Sequence, residues 1–472
     1  MITFILNNQL ISTDQSAGSI LLDYIRYEKH LMGSKVGCRE GDCGACTVLE
    51  GSLVGGELHY KSVVSCLCPL GNVQGKHIVT IEGLQKGQLS PVQHKMIQHA
   101  ATQCGFCTPG FVMSLTAHSL DTKPSDKEKA VAAIGGNICR CTGYKSIERA
   151  AEDLSAILEK KESKDPLGWL IEQAFLPEYF REIPGRLKEI ESQNPNGVEG
   201  LIVGGGTDLF VQKADLLQKA DLQFLHHKKA FKDIEFIGEK CFVGASVTAT
   251  QIMDNETLQT AFPNLKEYFK LISSEPIRNM GTLAGNIMNA SPIADLVIIF
   301  LALDANLHLK GKNGSSRNIP LRKFYSGYKQ TQLAGGEQIE KIEFMLPRND
   351  ASFNFEKVSK RQHLDIASVN SAIQINIKEN RIAKVHLSAG GVFAFPFYAE
   401  NTVKYLEGKT LNHETLLQAA LVLEEEIVPI SDIRGSREYK SLLLRQLFFA
   451  HFITLFPKSF TVELLLEKIV SE

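Results

Sequence analysis

Nine of the ten cysteines fall between Cys38 and Cys141, and their spacing is the feature of this sequence best suited to chemistry. Cys38, Cys43 and Cys46 form C-x4-C-x2-C, with Cys66 twenty residues later; Cys104 and Cys107 form C-x2-C; Cys139 and Cys141 are one residue apart. The chain opens Met1-Ile2-Thr3-Phe4-Ile5-Leu6, which alternates like a strand and lacks the basic start and long apolar stretch of an export signal. A cytoplasmic location is therefore expected. There, paired cysteines bind metal rather than form disulfides, and the metal chemistry is confined to the first third of the chain.

The first set has the spacing of plant-type [2Fe-2S] ferredoxins, with Cys38, Cys43, Cys46 and Cys66 as the four ligands. Gly37, Gly41 and Gly44 give the loop the tight turns and close backbone approach that four converging thiolates require. Zinc is the competing reading, but zinc sites favour two C-x2-C knuckles and this set has one plus an offset cysteine. Cys68, two residues after Cys66, is read as a buried free thiol.

The second set is two pairs, Cys104 with Cys107 and Cys139 with Cys141, each just ahead of an expected helix. Helix N-termini offer free N-H groups and partial positive charge, which suits an anionic thiolate-ligated cluster. A thioredoxin-like redox pair at Cys104 and Cys107 would call for a βαβ setting and leave Cys139 and Cys141 without use.

Three segments, Cys-Arg-Glu-Gly-Asp-Cys-Gly-Ala-Cys46, Gln103-Cys-Gly-Phe-Cys-Thr-Pro-Gly110 and Asn137-Ile-Cys-Arg-Cys-Thr-Gly-Tyr144, together resemble the iron-sulfur part of the molybdenum hydroxylases, in particular the xanthine dehydrogenase type. The resemblance implies that the helical domain holds the cluster nearer the molybdopterin cofactor. It also implies that Gln103 contacts that cofactor, which sits on a molybdopterin-binding large subunit.

Two glycine-bearing segments follow. Ile202-Val203-Gly204-Gly205-Gly206-Thr207-Asp208-Leu209 places a glycine turn between a strand and a helix, where backbone N-H groups can approach phosphate. It is not a dinucleotide fingerprint, since that frame needs glycine where Leu209 stands. Ile277 to Asp295 is similar to the flavin signature of the same family. By that similarity Thr282, Leu283, Ala284, Gly285 and Asn286 hold the FAD pyrophosphate region, Asp295 binds the adenosine side, and Lys357 lies near the flavin ring. The family often has an aromatic residue against the flavin about ten positions before Thr282; Ile272 stands there. Cys241 is read as core packing.

The elements that must position these residues divide the chain. Residues 1–82 read as short strands with turns at Gly55-Gly56 and Gly71-Asn72, a small β-rich domain, which the resemblance implies is of the plant-type ferredoxin, β-grasp kind. Residues 83–158 read as a helical [2Fe-2S]-binding domain. Its helices are expected to begin at Ser90-Pro91, at Thr108-Pro109, at Ser125 with Glu128 as a capping box, and near Ser146. A charged linker spans 159–176, an α+β FAD-binding domain 177–347, and an α+β flavoprotein C-terminal domain 348–472, with an apolar-faced helix at Leu442 to Phe456. The fold class is α+β multidomain.

With 51 basic against 53 acidic residues, the net charge of -2 gives no footprint for nucleic acid or an anionic membrane. The longest apolar run, Leu296 to Leu303, is far short of the roughly 20 residues that span a bilayer. No catalytic residue for substrate oxidation is recognised. The resemblance implies an electron-transfer subunit, passing electrons from molybdopterin on the partner through two [2Fe-2S] clusters to FAD and then NAD+ during purine oxidation, in a dimer of heterodimers. The same wire in an aldehyde or other N-heterocycle dehydrogenase is the nearer alternative, and a stand-alone iron-sulfur carrier the more distant one.

Overall fold

The computed structural model describes residues 1–162, 164–191, 200–225, 231–347, 350–361 and 363–462. The chain forms two compact units, one of Met1–His227 with Ser274–Gly281, the other of Lys228–Ser273 with Thr282–Glu472.

The first unit begins with a mixed five-stranded sheet in the order Gln9–Thr13, Ile2–Leu6, His77–Val79, Thr47–Val54, Glu57–Val64. Ile2–Leu6 and His77–Val79 run parallel, and the other neighbours antiparallel. Gly55 and Gly56, both at positive φ, close the tight hairpin that the sequence marks. Helices Pro91–Gln98, Thr108–Leu120, Lys127–Ala133 and Lys145–Leu158 follow. Ser90 caps the first through a reciprocal box with Gln93, and Pro91 sits where a missing N-H costs nothing. The cap expected at Ser125 is instead Asp126, whose side chain accepts from Lys129 N-H. Ser125 is buried and its hydroxyl lies 2.7 Å from His118 Nε2, so it is spent on a tertiary contact.

The stretch 159–176, expected as a solvated linker, is partly built into this unit; residue 163 lies outside the described residues. Asp165 caps the helix Pro166–Glu172. Leu170, Ile171, Phe175 and Leu176 are buried in the apolar core of the helical segment with Phe111, Leu154 and Phe180. Burial of that many large apolar groups outweighs the charge at the start of the stretch. A short parallel pair, Leu201–Val203 with Leu222–Phe224, and the helix Leu209–Leu217 complete the unit.

The second unit holds a five-stranded antiparallel sheet in the order Ser316–Pro320, Asn306–Gly311, Glu337–Met345, Lys240–Gly244, Ile234–Ile237. A four-stranded antiparallel sheet of Ala351–Val358, Val369–Lys378, Arg381–Gly390 and Phe397–Tyr398 carries the helix Arg437–Leu455 against it. Helix Asp295–Ala302 is buried at every position after its first, which its all-round apolar sequence demands. Among the described residues no helix is long and apolar enough to cross a membrane. Cys241 is fully buried on its strand.

Candidate cofactor sites

The loop that carries Cys38, Cys43 and Cys46 runs into strand Thr47–Val54 and is braced by a two-point contact of the Arg39 guanidinium with Asp23, at 3.0 and 2.7 Å. Its thiols meet in pairs. Cys38 lies beside Cys43, which holds the Cys38 thiol down to about 4 and is itself pushed up. Cys46 lies beside Cys66 in the same relation, with Cys46 lowered and Cys66 raised. Backbone N-H groups face the sulfurs, Glu40 N-H to Cys38 Sγ at 3.3 Å and Cys38 N-H to Cys43 Sγ at 3.4 Å. Cys68 joins neither pair: burial pushes its thiol up to about 12, and it donates to the Pro69 carbonyl.

Cys104 Sγ and Cys141 Sγ are 3.3 Å apart, and Cys107 pairs with Cys139. Burial and then Cys139 push the Cys107 thiol up to about 12. Burial works against the Cys139 thiolate as well, but the Thr142 hydroxyl at 3.1 Å and the Thr142 N-H outweigh it, so its pKa is lowered. Cys107 immediately precedes helix Thr108–Leu120, and Tyr144, at φ 68, starts helix Lys145–Leu158. The Tyr144 hydroxyl accepts from Cys139 N-H at 3.0 Å. Cys104, Cys141 and Gln103 are exposed.

Among the described residues no three or more His, Cys, Asp or Glu side chains converge on one point, as a single metal ion would need. Two thiol pairs are what a two-iron cluster asks of each set, two thiolates per iron. In each pair one thiol is lowered: Cys38 and Cys46 chiefly by the neighbouring cysteine, Cys104 chiefly by the Phe106 N-H and then Cys141, and Cys139 chiefly by Thr142. The donor sets fit two clusters.

In the same unit, Val203 is buried and Gly204 to Gly206 turn the chain toward helix Leu209–Leu217. Asn72 Nδ2 reaches the carbonyls of Gly204 and Gly205, at 3.4 and 3.3 Å. In a trans peptide the N-H opposes the C=O, so the N-H groups of Gly205 and Gly206 point away from Asn72. Gly205 is packed so closely that a Cβ there would lie 1.9 Å from the Met280 carbonyl oxygen.

In the second unit, Thr282 caps Leu283–Asn289 by accepting from Gly285 N-H at 3.1 Å, and Leu283 N-H donates to the Val247 carbonyl. Two of the donors assigned by resemblance to a pyrophosphate are thus already used. Asn286 Oδ1 is buried without a partner among the described residues, a group that a ligand would satisfy. Lys357 Nζ donates to Asp295 Oδ2 at 2.8 Å and to the Leu271 carbonyl at 2.7 Å, and Asn370 Nδ2 donates to Asp295 Oδ1 at 2.5 Å. Burial raises the Asp295 carboxyl even against Lys357. The resemblance sends Lys357 to the flavin ring and Asp295 to the adenosine end. Groups in direct contact cannot serve both ends, so the two assignments do not both stand. Asn370 and the Leu271 carbonyl had no sequence signal. Ile272 is buried.

Four family descriptions match the chain in series: "2Fe-2S iron-sulfur cluster binding domain" over 4–71, "[2Fe-2S] binding domain" over 80–152, "FAD binding domain in molybdopterin dehydrogenase" over 179–348, and "CO dehydrogenase flavoprotein C-terminal domain" over 355–455. Two [2Fe-2S]-binding domains followed by an FAD-binding one define an iron-sulfur flavoprotein. Within that class the chain belongs to the molybdenum hydroxylase family, as its iron-sulfur and flavin part. It is 28% identical to a xanthine dehydrogenase of Blastobotrys adeninivorans over 97% of this chain and 41% of the relative. To the xanthine dehydrogenase/oxidase of Rattus norvegicus it is 27% identical, over 97% of this chain and 39% of that one. The chain thus spans about two fifths of the length of these curated relatives. A solved copper- and molybdenum-containing CO dehydrogenase superposes with a TM-score of 0.50 at 26% identity, covering 53% of this chain and 88% of that one.

Proposed function

We propose that this chain is the electron-transfer part of a xanthine dehydrogenase-type molybdenum hydroxylase. It takes electrons from a molybdopterin-binding partner through two [2Fe-2S] clusters to FAD, and then to NAD+, as purines are oxidised. The observation that carries this reading is the pairing of eight thiols two by two, at both cysteine sets, within one compact unit. Bound there, each cluster exchanges one electron and the flavin collects two.

Cys38 with Cys43 and Cys46 with Cys66 hold one cluster; Cys104 with Cys141 and Cys107 with Cys139 hold the other. The N-H groups of Glu40, Cys38 and Thr142 stabilise the thiolate charge. The segment Thr282 to Asn286 contributes to FAD binding, with Asn286 supplying a polar contact; the turn at Gly204 to Gly206 is read by itself as a turn whose N-H groups approach phosphate. Exposed Cys104, Cys141 and Gln103 put the second cluster at the surface, where a molybdopterin-bearing partner can reach it. The partner arrangement is a dimer of heterodimers in the cytoplasm.

Similarity to a CO dehydrogenase supports a second reading on substrate alone, the same wire serving an enzyme for something other than purine. One experiment separates them: co-purify the chain with its partner, measure iron, molybdenum and FAD, and follow NADH formation from xanthine. Xanthine-dependent NADH supports both the wire and the purine assignment. Full metal and flavin with xanthine inert leaves the wire and removes the purine assignment, and absence of flavin sinks the wire in favour of an iron-sulfur carrier.

A further inference from the structure

The two cysteine loops are not merely neighbours in the first unit; their backbones touch. Ile138 N-H donates to the Cys43 carbonyl at 3.0 Å, so one hydrogen bond and one residue separate Cys43 of the first set from Cys139 of the second. The approach is too close for side chains. A Cβ on Gly44, already at φ +66, would lie 2.3 Å from the Gly136 carbonyl oxygen, and one on Gly110 would lie 2.3 Å from the Gly44 carbonyl oxygen. Three cluster-bearing segments therefore meet at one point: the loop of Cys43 and Cys46, the helix start after Cys107, and the loop before Cys139.

The side chain at that point is Asn137, 4% exposed. Its Nδ2 donates to the Gly44 carbonyl at 3.1 Å, and its Oδ1 accepts from the Ser114 hydroxyl at 2.7 Å. The Gly44 carbonyl also accepts from the Thr47 N-H and hydroxyl. Ser114 lies on the helix that begins beside Cys107. A buried primary amide is chosen over an apolar group only where both its ends are satisfied, and here each end is bonded to a different cluster-bearing segment. A side chain of similar size without both a donor and an acceptor unties either the Gly44 segment or Ser114 from residue 137, although Thr47 still satisfies the Gly44 carbonyl.

We propose that Asn137 is a positioning residue that sets the coupling between the two iron-sulfur clusters, by clamping the Cys43 to Cys46 loop and helix Thr108–Leu120 onto the Gly136 to Cys139 segment. This rests on reading the two cysteine sets as cluster ligands. The residue acts through the backbone of Gly44 and through Ser114, and the path it maintains is the hydrogen bond from Ile138 N-H to the Cys43 carbonyl.

The test uses the full chain purified with its own iron. Two quantities are read: iron per chain, and the magnetic splitting between the two clusters in the low-temperature electron paramagnetic resonance spectrum of the dithionite-reduced protein. Wild-type chain that lacks iron for two clusters overturns the function reading itself. Asn137→Ala and Asn137→Asp are expected to keep their iron and lose the splitting. The aspartate is expected to do no better than the alanine, because it turns an acceptor toward the Gly44 carbonyl. Wild-type splitting in Asn137→Ala with full iron overturns the proposal. If Asn137→Ala sheds iron, Ser114→Ala decides, since it frees the amide without removing it. Reduced splitting with full iron in Ser114→Ala supports the clamp, and wild-type splitting there leaves Asn137 a folding residue only and overturns it.

Discussion

Removing either member of the Lys357 and Asp295 pair should destabilise the second unit, and the cost of removing Lys357 should depend on pH. The two side chains are 2% and 12% exposed, and their contact is 2.8 Å. Asp295→Asn leaves a buried ammonium with only the Leu271 carbonyl and amide groups, a loss of about 3–5 kcal/mol typical of breaking a buried pair from one side. Lys357→Met removes the cation from a carboxyl that burial already pushes up, so the folded protein takes on a proton. The unfolded chain, with the ordinary value of 3.8, does not hold that proton at neutral pH. An acid with a raised folded pKa binds more protons folded than unfolded, so stability falls as pH rises above 3.8, by about 1.4 kcal/mol per unit, until the folded pKa is passed. Between about pH 5.5 and about pH 7.5 the cost of Lys357→Met should therefore grow, at no more than about 1.4 kcal/mol per unit. The double variant should cost less than Asp295→Asn alone, because it buries no unpaired charge. The assay is equilibrium urea unfolding by far-ultraviolet circular dichroism, at fixed FAD concentration. A Lys357→Met cost that is the same at both pH values would refute the reasoning.

Three further outcomes are expected. Glu50, opposite Lys61 across strands Thr47–Val54 and Glu57–Val64, is buried, which raises its carboxyl, but Lys61 and Lys76 overcome that and hold it at about 2. The depressed value contributes about 3 kcal/mol, fully present above the ordinary 4.5 and lost as pH falls from there toward 2, so Glu50→Gln should lose that much in urea unfolding at neutral pH. Cys66→Ser should lose the iron of one cluster and Cys68→Ser none, by iron assay and paramagnetic resonance; iron lost from Cys68→Ser and kept in Cys66→Ser would reverse the ligand choice. Gly205→Ala should purify with less FAD per chain, because a Cβ 1.9 Å from the Met280 carbonyl must displace one segment or the other, and an unchanged flavin-to-protein ratio would count against the turn as a flavin contact.

Local chemistry was legible in the sequence where it depends on short spacing. The Ser90-Pro91 helix start and the Gly55-Gly56 hairpin each follow from bonds spanning a few residues, and each is found. Which thiol meets which was not legible, because Cys46 with Cys66 and Cys107 with Cys139 are brought together by the fold. The same holds for Lys357 and Asp295, 62 residues apart, whose contact no alternation or motif announces. Ser125 misled because a serine suited to capping was taken by His118, and Asp126 beside it served instead. The charged start of 159–176 likewise concealed Leu170, Ile171, Phe175 and Leu176, whose burial decides the local structure.

The brief return of Ser274–Gly281 to the first unit has a consequence for how the chain emerges during synthesis. Glu57–Val64 is an edge strand, and the returning segment covers part of it: Asn279 Nδ2 donates to the Ser62 carbonyl at 2.9 Å, and Lys61 Nζ to the Asn279 carbonyl at 2.7 Å. Until residue 281 has left the ribosome, that edge stands open to pairing with another nascent strand. No single cut of the polypeptide frees one unit whole, and a fragment stopping before Ser274 keeps both cysteine sets yet carries an unguarded edge. Such a fragment is expected to aggregate where the longer chain does not, and fragments intended for spectroscopy on the clusters alone should be fitted with a substitute for the returning segment.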